Sequence, residues 1–156
     1  IAHAFTESLF TKQNPNIPSI LIQMLTEKQK QTVFETAHEM AQRFFFFFFG
    51  KLAQQSFWRK NEYNFKLLLK PNSKIGNVEF DKKQIINGQI DLVFKNPQDE
   101  NQFIIVDFKT DRTENPRIHI NQLESYRLAV SKFKSTETSN IKCYLFYLRS
   151  GNSVEI

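Results

Sequence analysis

The segment FIIVDFKTD, residues 103–111, sets an apolar run of Ile104, Ile105 and Val106 directly against a carboxylate, Asp107, and an ammonium, Lys109. The run predicts a strand that enters the interior. Side chains alternate across a strand, so Asp107 and Lys109 share one face and Phe108 takes the other. Two charged groups at the mouth of a buried strand are costly unless something compensates them. The compensation is either a partner charge or a metal ion together with a substrate.

Upstream, INGQIDLVF (residues 86–94) repeats the pattern, with Asp91 between Ile90 and Leu92. The link KNPQDEN is polar and of hairpin length, which predicts that the two strands pair and that Asp91 and Asp107 lie side by side near one end. Adjacent carboxylates repel unless a divalent cation lies between them. In that arrangement the acids hold the metal, the metal lowers the pKa of a bound water, and Lys109 orients or deprotonates that water. A plain Asp–Lys pair at a strand end is the competing reading. The bare DxK triplet does not separate the two, whereas two aspartates in apolar strands joined by one hairpin favour the first.

Around this pair the chain reads as helix, helix, three strands, helix, strand. IAHAFTESLF spaces Ile1, Phe5 and Leu9 as a short amphipathic helix, and TKQNPNIP reads as a loop. Thr26 and Gln29 form a capping box that opens a long helix. Its apolar stripe is Val33, Ala37, Met40, Ala41, Phe44 and Phe48, with Gly50 as a stop or kink. The hexaphenylalanine block Phe44–Phe49 covers every face and is expected to be buried all round; a surface facing a missing part of a longer chain is the alternative. Tyr63, Phe65, Leu67 and Leu69 alternate as a first strand. Arg117 to Phe133 is expected to be helical, with Ile118, Leu123, Tyr126 and Val130 facing inward, followed by a strand over Ile141–Leu148 and a short extension, Val154–Ile156. The order predicts an α/β (α+β) domain with a mixed central sheet flanked by helices.

With 156 residues, 40% apolar and 24% charged, the chain is expected to form one globular domain over residues 1–156. It begins at Ile1 in sequence that already looks helical, which predicts a piece excised from a longer polypeptide. A single cysteine, Cys143, excludes an internal disulfide and a cysteine-ligated iron–sulfur cluster. Neither a secretory signal nor a membrane-length apolar run is present, so a cytoplasmic protein is expected. Eight basic residues against three acidic ones between Lys51 and Lys83 carry the whole net charge of +5. Such a segment favours polyanions such as nucleic acid.

GQIDLVF, IIVDFKTD and QLESY, in that order, resemble the RecB/AddA-type C-terminal nuclease domain of the PD-(D/E)xK nuclease superfamily. IAHAFTES resembles the family's histidine–glutamate helix through His3 and Glu7, and NEYNF its Glu-x-x-Phe start of the first strand. The resemblance implies a restriction-endonuclease-like core, with Asp91, Asp107, His3 and the backbone carbonyl of Phe108 as metal ligands. It implies Lys109 as the catalytic lysine, and Gln122 and Tyr126 as residues that position the lysine or the DNA backbone. Glu62 is read as structural. His38 is a rival to His3 that packs or faces solvent, and His119 stands where the family often has tyrosine.

The resemblance further implies a Mg²⁺-dependent DNA nuclease, with Mn²⁺ as an alternative ion. It would act on single strands for a helicase–nuclease in double-strand-break repair and recombination. DNA, the helicase portion of the parent chain and a partner subunit are the expected partners, and no membrane is. Two other readings stay open: a free-standing or phage- or restriction-like nuclease of the superfamily, and a catalytically silent module that binds DNA or docks on a helicase. Asp107→Ala and Lys109→Ala are expected to abolish cleavage with little change in thermal unfolding.

Overall fold

A computed structural model describes residues 1–156. Five helices, α1 (Ala2–Thr11), α2 (Ser19–Gln23), α3 (Glu27–Phe46), α4 (Phe48–Gln55) and α5 (Ile120–Lys134), pack around seven strands. The strands are β1 (Arg59–Leu69), β2 (Ser73–Ile75), β3 (Val78–Phe80), β4 (Gln84–Lys95), β5 (Phe103–Lys109), β6 (Ile141–Tyr147) and β7 (Ser153–Glu155). The central sheet runs β1-β4-β5-β6-β7. Its pairs are antiparallel except β5–β6, which are parallel and joined by the α5 crossover. This is the mixed sheet between helical layers that the sequence predicts. No helix is long and apolar enough to cross a membrane.

Each face of the sheet carries its own core. On one, Leu67, Ile90, Ile105 and Leu145 pack beneath α5, which contributes Leu123. On the other, Leu92, Phe94, Ile104, Val106 and Phe146 meet α1, α3 and α4. The strands in the middle of the sheet are thus buried on both sides, which is why they read as continuous apolar runs.

Thr26 opens α3 through the expected capping box, its hydroxyl accepting from the Gln29 amide while Gln29 Oε1 accepts from the Thr26 amide. The phenylalanine block departs from expectation. The helix breaks at Phe47 (φ −73°, ψ 166°), so Phe44, Phe45 and Phe46 end one helix while Phe48 and Phe49 begin the next. Phe44 is fully buried, edge-on to Phe108 at 4.7 Å and to Phe146 at 4.9 Å, and Phe49 lies 4.2 Å from Tyr144. Phe46 and Phe48 are exposed at 64% and 55%. Phe48 therefore leaves the inward stripe, and the break falls three residues before Gly50.

Gly50 instead lets α4 turn tightly under the end of α3, because a Cβ there would meet the Phe44 carbonyl oxygen at 2.2 Å. Gly50→Ala forces that turn open. Overpacking of this kind costs about 1–3 kcal/mol, or roughly 5 °C in the melting temperature of a domain this size. Calorimetry of the variant measures it; an unchanged melting temperature would remove Gly50 from this role.

Two short elements escape sequence reading. Helix α2 follows two prolines in a five-residue stretch, and the β2–β3 hairpin has only three residues per strand, too few to show a period. The hairpin turns through Gly76 (φ 54°) and is tied to α5 by the Asn77 amide donating to Asn121 Oδ1 at 3.0 Å. The segment before α5 is a 3₁₀ turn, Pro116–His119, and leaves Ile118 69% exposed rather than inward.

Candidate active site

The pairing of β4 with β5 sets Leu92 opposite Val106, and just beyond it the Phe108 amide, next to Asp107, donates to Asp91 Oδ2 at 2.7 Å. Asp107 is 2% exposed. Its Oδ2 lies 2.6 Å from Lys109 Nζ, so the carboxylate and ammonium two residues apart form a buried ion pair on the α5 face. Lys109 Nζ also donates to Gln122 Oε1 at 3.0 Å, and Gln122 Nε2 donates to Tyr126 Oη at 2.7 Å. The i, i+4 spacing of Gln122 and Tyr126 on α5 makes this relay possible. An ammonium has only donors, so it fixes which end of the Gln122 amide faces it. Burial, and then the charge of Asp107, pushes the Tyr126 phenol up to about 12, leaving it protonated at neutral pH.

A second group forms on the other side of Asp91. His3 on α1, Glu62 on β1 and Asp91 on β4 bring their ligand atoms within 4.8 Å of one another. His3 Nδ1 stands 3.6 Å from Asp91 Oδ1, and its ring is edge-on to Phe108 at 5.8 Å. Asp91 Oδ2 accepts from the Phe108 amide at 2.7 Å. Asp107, expected as a ligand, is not in this trio because it is turned onto Lys109. For Phe108 the observed link is the amide donating to Asp91, and its ring packs on Phe44. Glu7 acts on Glu62 through its charge alone.

Glu62, read from sequence as structural, joins the trio through a backbone irregularity. Ile90 and Leu92, two residues apart on β4, should share a face but enter the cores on opposite faces. Their partners Tyr63 and Asn61 on β1 follow them. The reversal falls between them, at Glu62, whose φ is 48°, and at Asp91. A non-glycine residue in that region stores about 1–3 kcal/mol of strain, and such residues cluster at functional sites. The kink lets side chains from two adjacent strands converge on His3. No residue pattern in NEYNF carries a signal for a left-handed φ.

The electrostatics fit a cation. Burial, and then the charge of Asp107, pushes the Asp91 carboxyl up to about 7. Burial and the charge of Asp91 raise Glu62, and burial lowers His3, which leaves a neutral imidazole free to ligate. Two buried side-chain oxygens lack a hydrogen-bond partner, Asn61 Oδ1 and Tyr147 Oη. Both belong to neighbours of site residues: Asn61 adjoins Glu62 in sequence, and Tyr147 pairs with Lys109 across β5–β6. Unsatisfied buried groups are rare and mark places where a ligand, ion or water completes the bonding. Sequence reasoning missed Asn61 and Tyr147, which sit among residues typical of ordinary strands. One imidazole and two carboxylates form a donor set that suits a hard or borderline divalent cation.

The rival histidines lie apart from this group. His38 packs edge-on to Phe5 at 6.0 Å, and His119 Nε2 faces Asp111 Oδ2 at 3.3 Å, just beyond β5. An open depression of about 480 Å³, bordered by Lys74, Arg127, Lys142 and Glu155, shares no residue with the site.

A mixed sheet that brings together an aspartate from each of two paired strands, with a lysine two residues beyond the second, is the framework of a nuclease. The chain belongs to the PD-(D/E)XK nuclease superfamily, matching that family over residues 1–155. Comparison with curated proteins gave no match. Members of the superfamily typically use divalent metals, in keeping with the cluster of His3, Glu62 and Asp91.

Gln122 has no apolar role, since its two polar ends are taken by Lys109 and Tyr126. Gln122→Ala removes hydrogen bonds worth about 1 kcal/mol each to stability, and it releases the lysine. Cleavage is expected to fall by about tenfold or more while the melting temperature moves by only a few degrees. A large loss of stability with an unchanged rate would make Gln122 purely structural.

Proposed function

We propose that the chain is a Mg²⁺- or Mn²⁺-dependent DNA nuclease of the RecB/AddA type that hydrolyses phosphodiester bonds in single strands. It would serve a helicase–nuclease in double-strand-break repair and recombination, with DNA and the helicase part of a longer polypeptide as partners. The observation that carries this reading is the continuous relay Asp107–Lys109–Gln122–Tyr126 beside the trio His3, Glu62 and Asp91. A plain structural ion pair has no need of a second cluster of ligating groups one strand away.

His3, Glu62 and Asp91 would hold the cation, with Asp107 nearby as a further carboxylate. A divalent ion there supplies Lewis-acid stabilisation of phosphate charge and acidifies a bound water. Lys109, held between Asp107 and Gln122, presents a fixed ammonium to the charge that develops on the phosphate. Gln122 keeps that ammonium from swinging away, and Tyr126, protonated and buried, anchors Gln122. The low dielectric around Asp107 strengthens each of these interactions.

The test is degradation of a labelled single-stranded DNA, with and without a chelator, by the wild type and Asp107→Ala. Cleavage that needs both the metal and Asp107 is the expected result. Cleavage that survives the chelator or the substitution would sink the metal-dependent reading. Binding of Mg²⁺ by titration without any cutting would favour the alternative of a site that is silent outside its helicase.

A further inference from the structure

At the end of α5 away from Gln122, three lysines converge without a carboxylate among them. Lys134 Nζ sits 3.5 Å over the Trp58 ring and 5.0 Å from the Phe133 ring, and Lys95 Nζ sits 5.2 Å from the Phe57 ring. Lys60, on β1, pairs with Val93 and so shares its α5-side face. None of the seven ion pairs in the molecule involves Lys60, Lys95 or Lys134. Burial, then the charges of Lys95 and Lys60, holds the Lys134 ammonium below its ordinary range. The rings among them are open to solvent: Phe57 is 78% exposed and Phe133 56%.

This strip reaches the active site. Phe133 lies 5.4 Å from Tyr63, the residue next to Glu62. On α5, Phe133 is three turns beyond Gln122, about 16 Å along the axis, the length of roughly five nucleotides at about 3.4 Å each. Lysines without acid partners are free to take phosphates, and exposed rings between them offer platforms on which bases stack regardless of sequence. A folded acidic protein would satisfy the charge but has no use for open phenylalanine faces spaced between cations.

We propose that Phe57, Phe133, Lys60, Lys95 and Lys134 form a track for single-stranded nucleic acid leading to the site, with bases stacked on the rings and phosphates on the lysines. The proposal rests on the nuclease reading for its direction but is measured without cleavage. Arg59, counted within the basic segment of the sequence, takes no part. It turns inward to donate to the carbonyls of Ala53 and Phe10, with its guanidinium 4.6 Å over the Phe10 ring.

The experiment is anisotropy of a labelled oligothymidylate with the whole chain and a chelator present, compared with a duplex of equal length. Phe57→Ser and Phe133→Ser are each expected to weaken single-strand binding about tenfold, the ratio to which one stacked base converts, with little effect on the duplex. Replacing Lys60, Lys95 and Lys134 together by alanine should lower the salt slope by about two, at roughly 0.7 per phosphate. Phe57 is exposed enough that folding survives its loss, which a melting curve confirms. Unchanged affinity in both ring variants overturns the track, as does equal weakening for duplex and single strand, or no binding by the wild type. Metal-dependent hydrolysis of bis(p-nitrophenyl) phosphate, too small to need the track, separates the two readings. Ring-dependent binding without that hydrolysis leaves the track standing and removes the nuclease reading.

Discussion

Lys109→Ala is expected to lower cleavage by roughly 10²–10³-fold or more, the loss seen when a preorganised group facing developing charge is removed. It is also expected to destabilise the fold. From sequence little change in thermal unfolding is expected, but Asp107 is 2% exposed and Lys109 Nζ lies 2.6 Å from it. Taking away one member of a buried pair leaves the other charged and unsolvated, at a cost of about 3 kcal/mol or more. For a domain this size that is roughly 10 °C in melting temperature. The double variant with Asp107→Asn removes the stranded charge, so stability should return while activity does not. Cleavage assays and calorimetry on the three proteins separate the two effects. A single variant that cuts at close to the wild-type rate would take Lys109 out of the reaction.

The second large effect concerns pH. Asp91 has its carboxyl raised from 3.8 to about 7, chiefly by burial and then by Asp107. Between those values the folded protein holds a proton on Asp91 that the unfolded chain has released. Stability therefore falls as pH rises through this window, and the contribution is lost above the folded value. The span corresponds to at most about 4 kcal/mol. Asp91→Asn has no such proton, so the stability of the wild type relative to this variant should decline from about pH 4 to about pH 8. Saturating Mg²⁺ or Mn²⁺ should reverse the decline at the upper end, because a cation replaces the proton as the counter-charge. Urea unfolding of both proteins at each pH measures the effect. A difference that stays constant with pH would mean that Asp91 is solvated and no part of a buried cluster.

Both predictions depend on a register that the sequence made legible. Asp91 and Asp107 could be placed on neighbouring paired strands because each stands in a strong apolar run and one hairpin of polar residues joins them. Gln122 and Tyr126 could be placed on one face because helical spacing is a local property. Glu62 could not be placed. Its membership in the trio depends on a φ of 48° and a reversal of alternation shared by two strands, and a strand sequence does not encode which residue will absorb such a kink. Phe46 and Phe48 were misplaced for a related reason. Six identical residues have no periodicity, so nothing local marks Phe47 as the break.

By itself, the sequence determined the order of the main elements, the mixed sheet, the superfamily and the strand that ends in Asp107 and Lys109, because hydrophobic periodicity and turn chemistry act over a few residues. The tertiary structure alone decided which carboxylates meet His3, that Asp107 turns to Lys109, and that three distant lysines gather among open rings at the far end of α5. Those outcomes depend on strand pairing, helix packing and burial between segments far apart in the chain, where distance and dielectric are set by the fold as a whole.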